Sequence, residues 1–283
     1  MRYITVRNYF EVLKPSASIL LTFIGVSAAI IASDGQLSLK LLIIALVIFL
    51  ASAGANGLTN YLDRDIDAKM QRTKDRVLPS KRIYPPKKVL PLTLGLITIA
   101  LILAWQLHPL SFLSGMIGII SSTVWRKRAT CVFPQGMLAS CSPVLIGWFA
   151  ITPVFSWEIL LLCTMIAVWL PLHVWSIMIA NREDYINAGL TYFPIHREIK
   201  EAVKVLLIFS LILGIAAIAL YFVGDFALFY LIAASLLSIV MVYASSRLVI
   251  STASHNAWRI YKLSAFPYLG LIFLAMCLDI WLL

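Results

Sequence analysis

The stretch Asn56-Gly-Leu-Thr-Asn60-Tyr-Leu-Asp63-Arg-Asp65-Ile-Asp67-Ala-Lys-Met-Gln-Arg72-Thr-Lys74-Asp75-Arg76 decides how this chain is read. The residues just before it, 39–55, carry no charge except Lys40. A long apolar run therefore opens directly onto carboxylates and a cluster of cations. Charge at the mouth of such a segment is costly, and it usually serves a function.

The rest of the chain fits that picture. Of its 283 residues, 61% are hydrophobic and only 13% charged, about half the charge of an ordinary soluble domain. The mean hydropathy is +0.92. Apolar runs of helix-spanning length recur throughout, with none of the short alternating segments of a β-barrel. An all-α, polytopic membrane protein is predicted, with nine spans at 16–33, 39–62, 88–107, 109–126, 132–153, 157–180, 202–223, 226–249 and 263–283. Arg2, Arg7, Glu11 and Lys14 precede an apolar run without a clear cleavage site, unlike a signal peptide. With no Ser- or Gly-rich linker, residues 1–283 read as one intramembrane domain. Its two sizeable connections, about 63–87 and 181–201, carry the motifs and lie four helices apart, as in two related halves.

Of the 23 Lys and Arg residues, 22 fall in the N-terminal tail or in the connections after even-numbered spans; Lys40 is the exception. The positive-inside rule then predicts a cytoplasmic N-terminus, a C-terminus on the opposite side and residence in the cell (inner) membrane. The net charge of +10 reflects that topology. Nucleic acid is excluded as a partner, because the cations sit at helix ends with no basic domain behind them. The four cysteines, Cys131, Cys141, Cys163 and Cys277, have no metal-like spacing and read as small hydrophobes.

Helical geometry sorts the acidic residues. Asn56, Asn60, Asp63 and Asp67 recur at i, i+4, i+7 and i+11, so they share one narrow stripe, whereas Asp65 points away. Two carboxylates one turn apart, with amide oxygens above them, suit Mg²⁺, which binds one or two carboxylates and leaves room for water and phosphate. Arg72, Lys74, Arg76, Lys81 and Arg82 follow, and they are able to neutralise a diphosphate. The other reading is a juxtamembrane loop whose charges merely pair and hold topology. Asp65 and Asp75 are expected to be salt-bridge partners.

A second constellation lies in Trp169-Leu-Pro-Leu-His173-Val-Trp175 and Asn181-Arg182-Glu183-Asp184-Tyr-Ile-Asn-Ala-Gly189. If one helix runs through, His173 and Asp184 share a face with Asn181 beside them, and Arg182 points away. The plainer alternative is a core histidine bonded to a carbonyl, above ordinary helix-end charges. His108, His196 and His255 are expected at interfaces. The cationic run Arg126-Lys127-Arg128 reads either as a topological stop or as a phosphate contact.

The segment Thr59-Asn-Tyr-Leu-Asp63-Arg-Asp-Ile-Asp67-Ala-Lys-Met-Gln-Arg-Thr-Lys-Asp-Arg76 resembles the first Asp-rich motif of the UbiA-type intramembrane prenyltransferases. Its wording is most like that of the protoheme IX farnesyltransferase (haem O synthase) group. Pro171, His173, Trp175, Asp184, Tyr185, Ala188, Gly189 and Pro194 resemble that group's second segment. Thr123–Arg128, Pro143–Trp148 and Lys14-Pro15 resemble three further stretches. The chain departs from the pattern at Thr59, Val77, Lys81 and Ser122, and spans seven to nine carry no legible motif.

The resemblance implies Asp63 and Asp67 as ligands of Mg²⁺ and an allylic diphosphate, farnesyl diphosphate. Asn56, Asn60, Arg72, Lys74, Arg76, Lys127 and Arg128 would assist. His173 and Asp184 would be catalytic, with Asn181, Arg182 and Glu183 in the second motif. The implied acceptor is haem b, modified to haem O within the lipid bilayer. Other readings are an enzyme prenylating a quinone precursor or another lipophilic acceptor, a transporter, or a haem-binding assembly protein. A transporter would carry its polar groups nearer mid-span. An assembly protein would need His173 but not Asp63 and Asp67.

Overall fold

A computed structural model describes residues 6–123 and 132–282. Twelve α-helices are described: α1 (Val6–Val12), α2 (Pro15–Ala32), α3 (Leu39–Asp67), α4 (Leu90–Leu107), α5 (Pro109–Thr123), α6 (Gln135–Ile151), α7 (Trp157–Ala180), α8 (Arg182–Asn187), α9 (Ile199–Val223), α10 (Leu228–Ile250), α11 (Ser254–Leu263) and α12 (Leu271–Leu282). Among the described residues there is no strand.

Helix α2 packs between α3 and α6, α6 also contacts α5 and α7, and α9 bridges α7 and α10. Helix α12 returns to α2 and α10. The outer faces are apolar: Leu42 and Leu46 of α3, Ile99 and Ile102 of α4, Ile215 of α9 and Ile239 of α10 are all exposed. Such surfaces suit lipid rather than water. Small residues let the helices approach closely. A Cβ built on Gly147 of α6 would lie 1.9 Å from the Gly25 carbonyl oxygen of α2.

Helix α3 has 29 residues, so it is about 43 Å long, more than the ~30 Å hydrocarbon layer. The surplus turns carry Asn56 to Asp67. The acidic stripe thus belongs to the helix itself, and the first connection starts after Asp67 rather than at residue 63.

Three further expectations are corrected. Of the nine predicted spans, seven appear as helices long and apolar enough to cross a membrane, while α5 and α6 are shorter. Helix α5 begins at Pro109 and α6 follows Pro134; residues 124–131 between them, which include Arg126, Lys127, Arg128 and Cys131, lie outside the described set. The last predicted span is instead a helical run Ser254–Leu282, interrupted by a π-helical turn at Ser264–Gly270 that contains Pro267. Proline has no N–H and its ring crowds the carbonyl four residues back; Ala265 leaves helical geometry there at ψ −130°. Finally, no single helix runs through the second constellation. Helix α7 stops at Ala180, and the Asn181 side chain donates to the Ile177 carbonyl at 2.8 Å, closing the helix end.

The short α8 is closed just beyond Asn187 by Gly189, whose φ of +80° favours glycine. The Gly189 and Leu190 N–H groups bond back to Ile186 and Tyr185, a Schellman closure. The first connection has its own apolar cluster of Val77, Leu78, Ile83 and Val89 against Val12 of α1. That cluster seats the connection beside the charged end of α3.

Candidate active site

A cavity of about 400 Å³ runs among α2, α3, α5, α6 and α7. Its charged end presents Asp63 and Asn56 of α3, Lys14 at the start of α2, and Arg72 and Arg76 from the first connection. Its apolar walls include Leu20, Leu21, Ile48, Ile119, Ile146 and Leu170, and Trp169 and His173 of α7 also face it. From Asp63 to Ile48 is 15 residues, about 22 Å along the helix. A smaller cavity of about 240 Å³ adjoins the charged end, lined by Glu11, Lys14, Asn60, Asp67 and Arg76.

The stripe keeps its geometry. Asp63 is 5% and Asp67 1% exposed, whereas the Asp65 side chain is 76% exposed and pairs with Arg64. The Arg76 guanidinium donates to Asp67 at 2.9 Å, and the Thr73 hydroxyl donates to the Asp67 main-chain oxygen. Asn56 donates to the Ser18 hydroxyl at 3.2 Å, and Asn60 to the Val12 carbonyl at 2.6 Å, so both amides also tie α3 to its neighbours. Among the described residues, no three His, Cys, Asp or Glu side chains form a metal cage. Two hard carboxylates at the mouth of a cavity do suit an ion such as Mg²⁺, whose other positions go to water and phosphate.

The cations divide. Lys14, Arg72 and Arg76 line the main cavity. Lys74 instead donates to Gln71, and Arg82 pairs with Glu11. That pairing raises the Arg82 pKa, first through the Glu11 hydrogen bond. Lys14 holds a left-handed φ of 49° just before Pro15, so its backbone is set against the helix start.

The second constellation is divided as well. The Asp184 carboxylate does not join Asp63 and Asp67; it accepts the main-chain N–H groups of Gln71 at 2.6 Å and Arg72 at 3.1 Å. Its neighbour Tyr185 lines the cavity and accepts a bond from the Arg72 guanidinium at 3.1 Å. Arg182 points away from the cavity and donates to the carbonyls of Pro194 and Arg197. Glu183 is exposed. His173 is stacked between Trp169 (centroids 5.1 Å apart) and Tyr261 (4.5 Å). Sequence reasoning named Tyr185 only as part of a resemblance and missed Tyr192, which lines the cavity, Tyr261 and Ser264; the only signal for the last two was a proline, Pro267, inside an apolar span.

A sequence profile described as the UbiA prenyltransferase family matches residues 18–274. The chain belongs to the UbiA prenyltransferase family. It is thus a multi-pass membrane prenyltransferase. A relative from Desulforudis audaxviator, named protoheme IX farnesyltransferase, is 33% identical, covering 98% of this chain and 90% of its own. The fold is similar to that solved for a digeranylgeranylglyceryl phosphate synthase, at a TM-score of 0.79 with 19% identity over 98% of this chain and 99% of the other. It is also similar to a UbiA homologue from Archaeoglobus fulgidus solved with GPP and Mg²⁺, at a TM-score of 0.65 with 15% identity over 95% and 99%.

Proposed function

We propose that this prenyltransferase moves a farnesyl group from farnesyl diphosphate to a vinyl group of haem b (protoheme IX), giving haem O. The observation that carries the reading is a single cavity joining an acid- and cation-lined end to a wall of Trp169 and His173. The full-length similarity to a protoheme IX farnesyltransferase supports the same acceptor.

Asp63 and Asp67 hold the metal–diphosphate end, while Lys14, Arg72 and Arg76 surround the diphosphate oxygens. The Archaeoglobus homologue with GPP and Mg²⁺ supports this metal. Mg²⁺, when bound, supplies Lewis-acid stabilisation of the charge on the departing diphosphate. The cations add fixed electrostatic stabilisation where that charge develops. The allylic C–O bond breaks with its electron pair going to diphosphate. Leu20, Leu21, Ile48 and Leu170 keep water from the resulting carbocation. The vinyl π electrons then form the new C–C bond, and the cation left beside the porphyrin ring takes up water and releases a proton, completing the hydroxyethylfarnesyl group. His173 orients the acceptor through its metal.

The whole chain, 1–283, acts as one intramembrane domain in the inner membrane. The cation distribution supports a cytoplasmic N-terminus, with the C-terminus on the opposite side. Mass spectrometry of haem from a host expressing the chain, with and without added farnesyl diphosphate, tests the reading. Haem O that depends on the chain supports it. Prenylation of an aromatic quinone precursor with haem b untouched overturns it.

A further inference from the structure

The π-helical turn between α11 and α12 lies in the part of the chain without a legible motif, yet it reaches the cavity wall. Ser264, its first residue, is fully buried. Its main-chain carbonyl accepts the indole N–H of Trp169, and its hydroxyl oxygen lies 2.9 Å from Nδ1 of His173. Two α7 rings one turn apart are thus held by one residue. Such π-turns are frequent at functional sites.

The direction of these bonds follows from counting protons. The Ser264 hydroxyl also contacts the Tyr261 main-chain carbonyl at 3.1 Å. A carbonyl only accepts, so the one hydroxyl proton goes to Tyr261. The serine oxygen is then left to accept, and the network assigns Nδ1 of His173 the proton it accepts. The opposite assignment, with serine donating to Nδ1, would forgo the hydroxyl's bond to the Tyr261 carbonyl. A neutral imidazole has one N–H, so Nε2 then carries the lone pair.

We propose that Ser264 is a positioning residue: with the Tyr261 carbonyl it fixes His173 as the Nδ1-protonated tautomer, leaving Nε2 as the nitrogen available to an acceptor's metal. The metal's identity as haem iron rests on the function proposed above; the tautomer does not. The stacking of His173 between Trp169 and Tyr261 fixes the ring plane, and Ser264 fixes its rotation within that plane. Partners of this kind behind a metal-binding histidine typically matter by 10- to 100-fold in metal affinity.

The test uses the full-length protein in lipid nanodiscs with ¹⁵N-labelled histidine. His173→Ala assigns the signals of residue 173. In the wild type these are expected to show a protonated Nδ1 and an unprotonated Nε2. Ser264→Ala should redistribute the tautomers, and Ser264→Thr, which keeps the hydroxyl, should restore them. In titrations with ferric haem b, Ser264→Ala should weaken binding by about 10-fold or more and lose the imidazole-ligated optical signature. The KM for haem should rise more than kcat falls. An Nε2-protonated His173 in the wild type overturns the proposal, as does Ser264→Ala with unchanged tautomer and haem affinity. The predicted tautomer in a wild type that binds no haem b leaves the relay standing and refutes the acceptor.

Discussion

The carboxylate of Asp184 accepts the main-chain N–H of Arg72 at 3.1 Å across 112 residues of sequence. It holds the neighbouring Gln71 N–H in the same way. The acid of the second motif is therefore engaged with the turn that delivers the Arg72 side chain to the cavity. Its effect on chemistry runs through the placement of that cation.

Asp184→Ala is accordingly expected to loosen the first connection. Hydrogen bonds to a charged group contribute about 1.5–3 kcal/mol each, so losing both should cost roughly 100- to 10,000-fold in kcat/KM. Limited proteolysis within residues 68–85 should speed up in parallel. Asp184→Asn, which keeps an acceptor oxygen, should retain more activity. Loss of turnover with unchanged proteolysis would argue for direct contact with the diphosphate.

Asp63 and Asp67 are expected to be indispensable, and Asp65 dispensable. Asp63→Ala or Asp67→Ala should abolish turnover in protein that still inserts, whereas exposed Asp65→Ala should keep most of it. The assay is product formation in membranes at matched expression. Equal tolerance of all three changes would defeat the assignment.

Activity should depend on a divalent cation. Chelation with EDTA should abolish turnover, and excess Mg²⁺ should restore it. Two carboxylates without a third protein ligand hold Mg²⁺ through water and phosphate, so metal retention should require the diphosphate. Isothermal titration of Mg²⁺ with and without a non-hydrolysable prenyl diphosphate measures that dependence.

Helix packing gives a stability test. Gly147→Ala sets a methyl carbon 1.9 Å from the Gly25 carbonyl oxygen, an overpacking that typically costs about 1–3 kcal/mol and sometimes more. Gly95→Ala meets nothing within 4 Å and should be neutral or stabilising by up to about 1 kcal/mol. Thermal unfolding in detergent, followed by fluorescence-detected size exclusion, should rank them in that order.

The Glu11–Arg82 pair, with side chains 43% and 31% exposed, should matter little. Surface pairs contribute about 0–1 kcal/mol and weaken in salt. Arg82→Ala should therefore lower the melting temperature slightly at low ionic strength and less at high ionic strength.

The legible features were local ones. The membrane class, the approximate spans and the acidic stripe follow from apolar run length and helical period, which neighbouring residues determine between them. The burial of Asp63 and Asp67 and the exposure of Asp65 are consequences of that period. Less legible were the interruptions. The helix end at Asn181 and the π-turn at Ser264–Gly270 depend on side chains bonding to a backbone that an unbroken period would have kept helical.

By itself, then, the sequence determined a polytopic helical chain with carboxylates placed where an apolar helix ends, and its motifs pointed to the UbiA family. Only the tertiary structure decided which cations serve the cavity: Lys14, Arg72 and Arg76 line it, while Lys74 and Arg82 are held elsewhere. The tertiary structure also joined Asp184 to Arg72, and Ser264 to His173 across 91 residues. The physical reason is that a side chain's bonding partner depends on how helices cross, and crossings are set by packing between elements far apart in the chain.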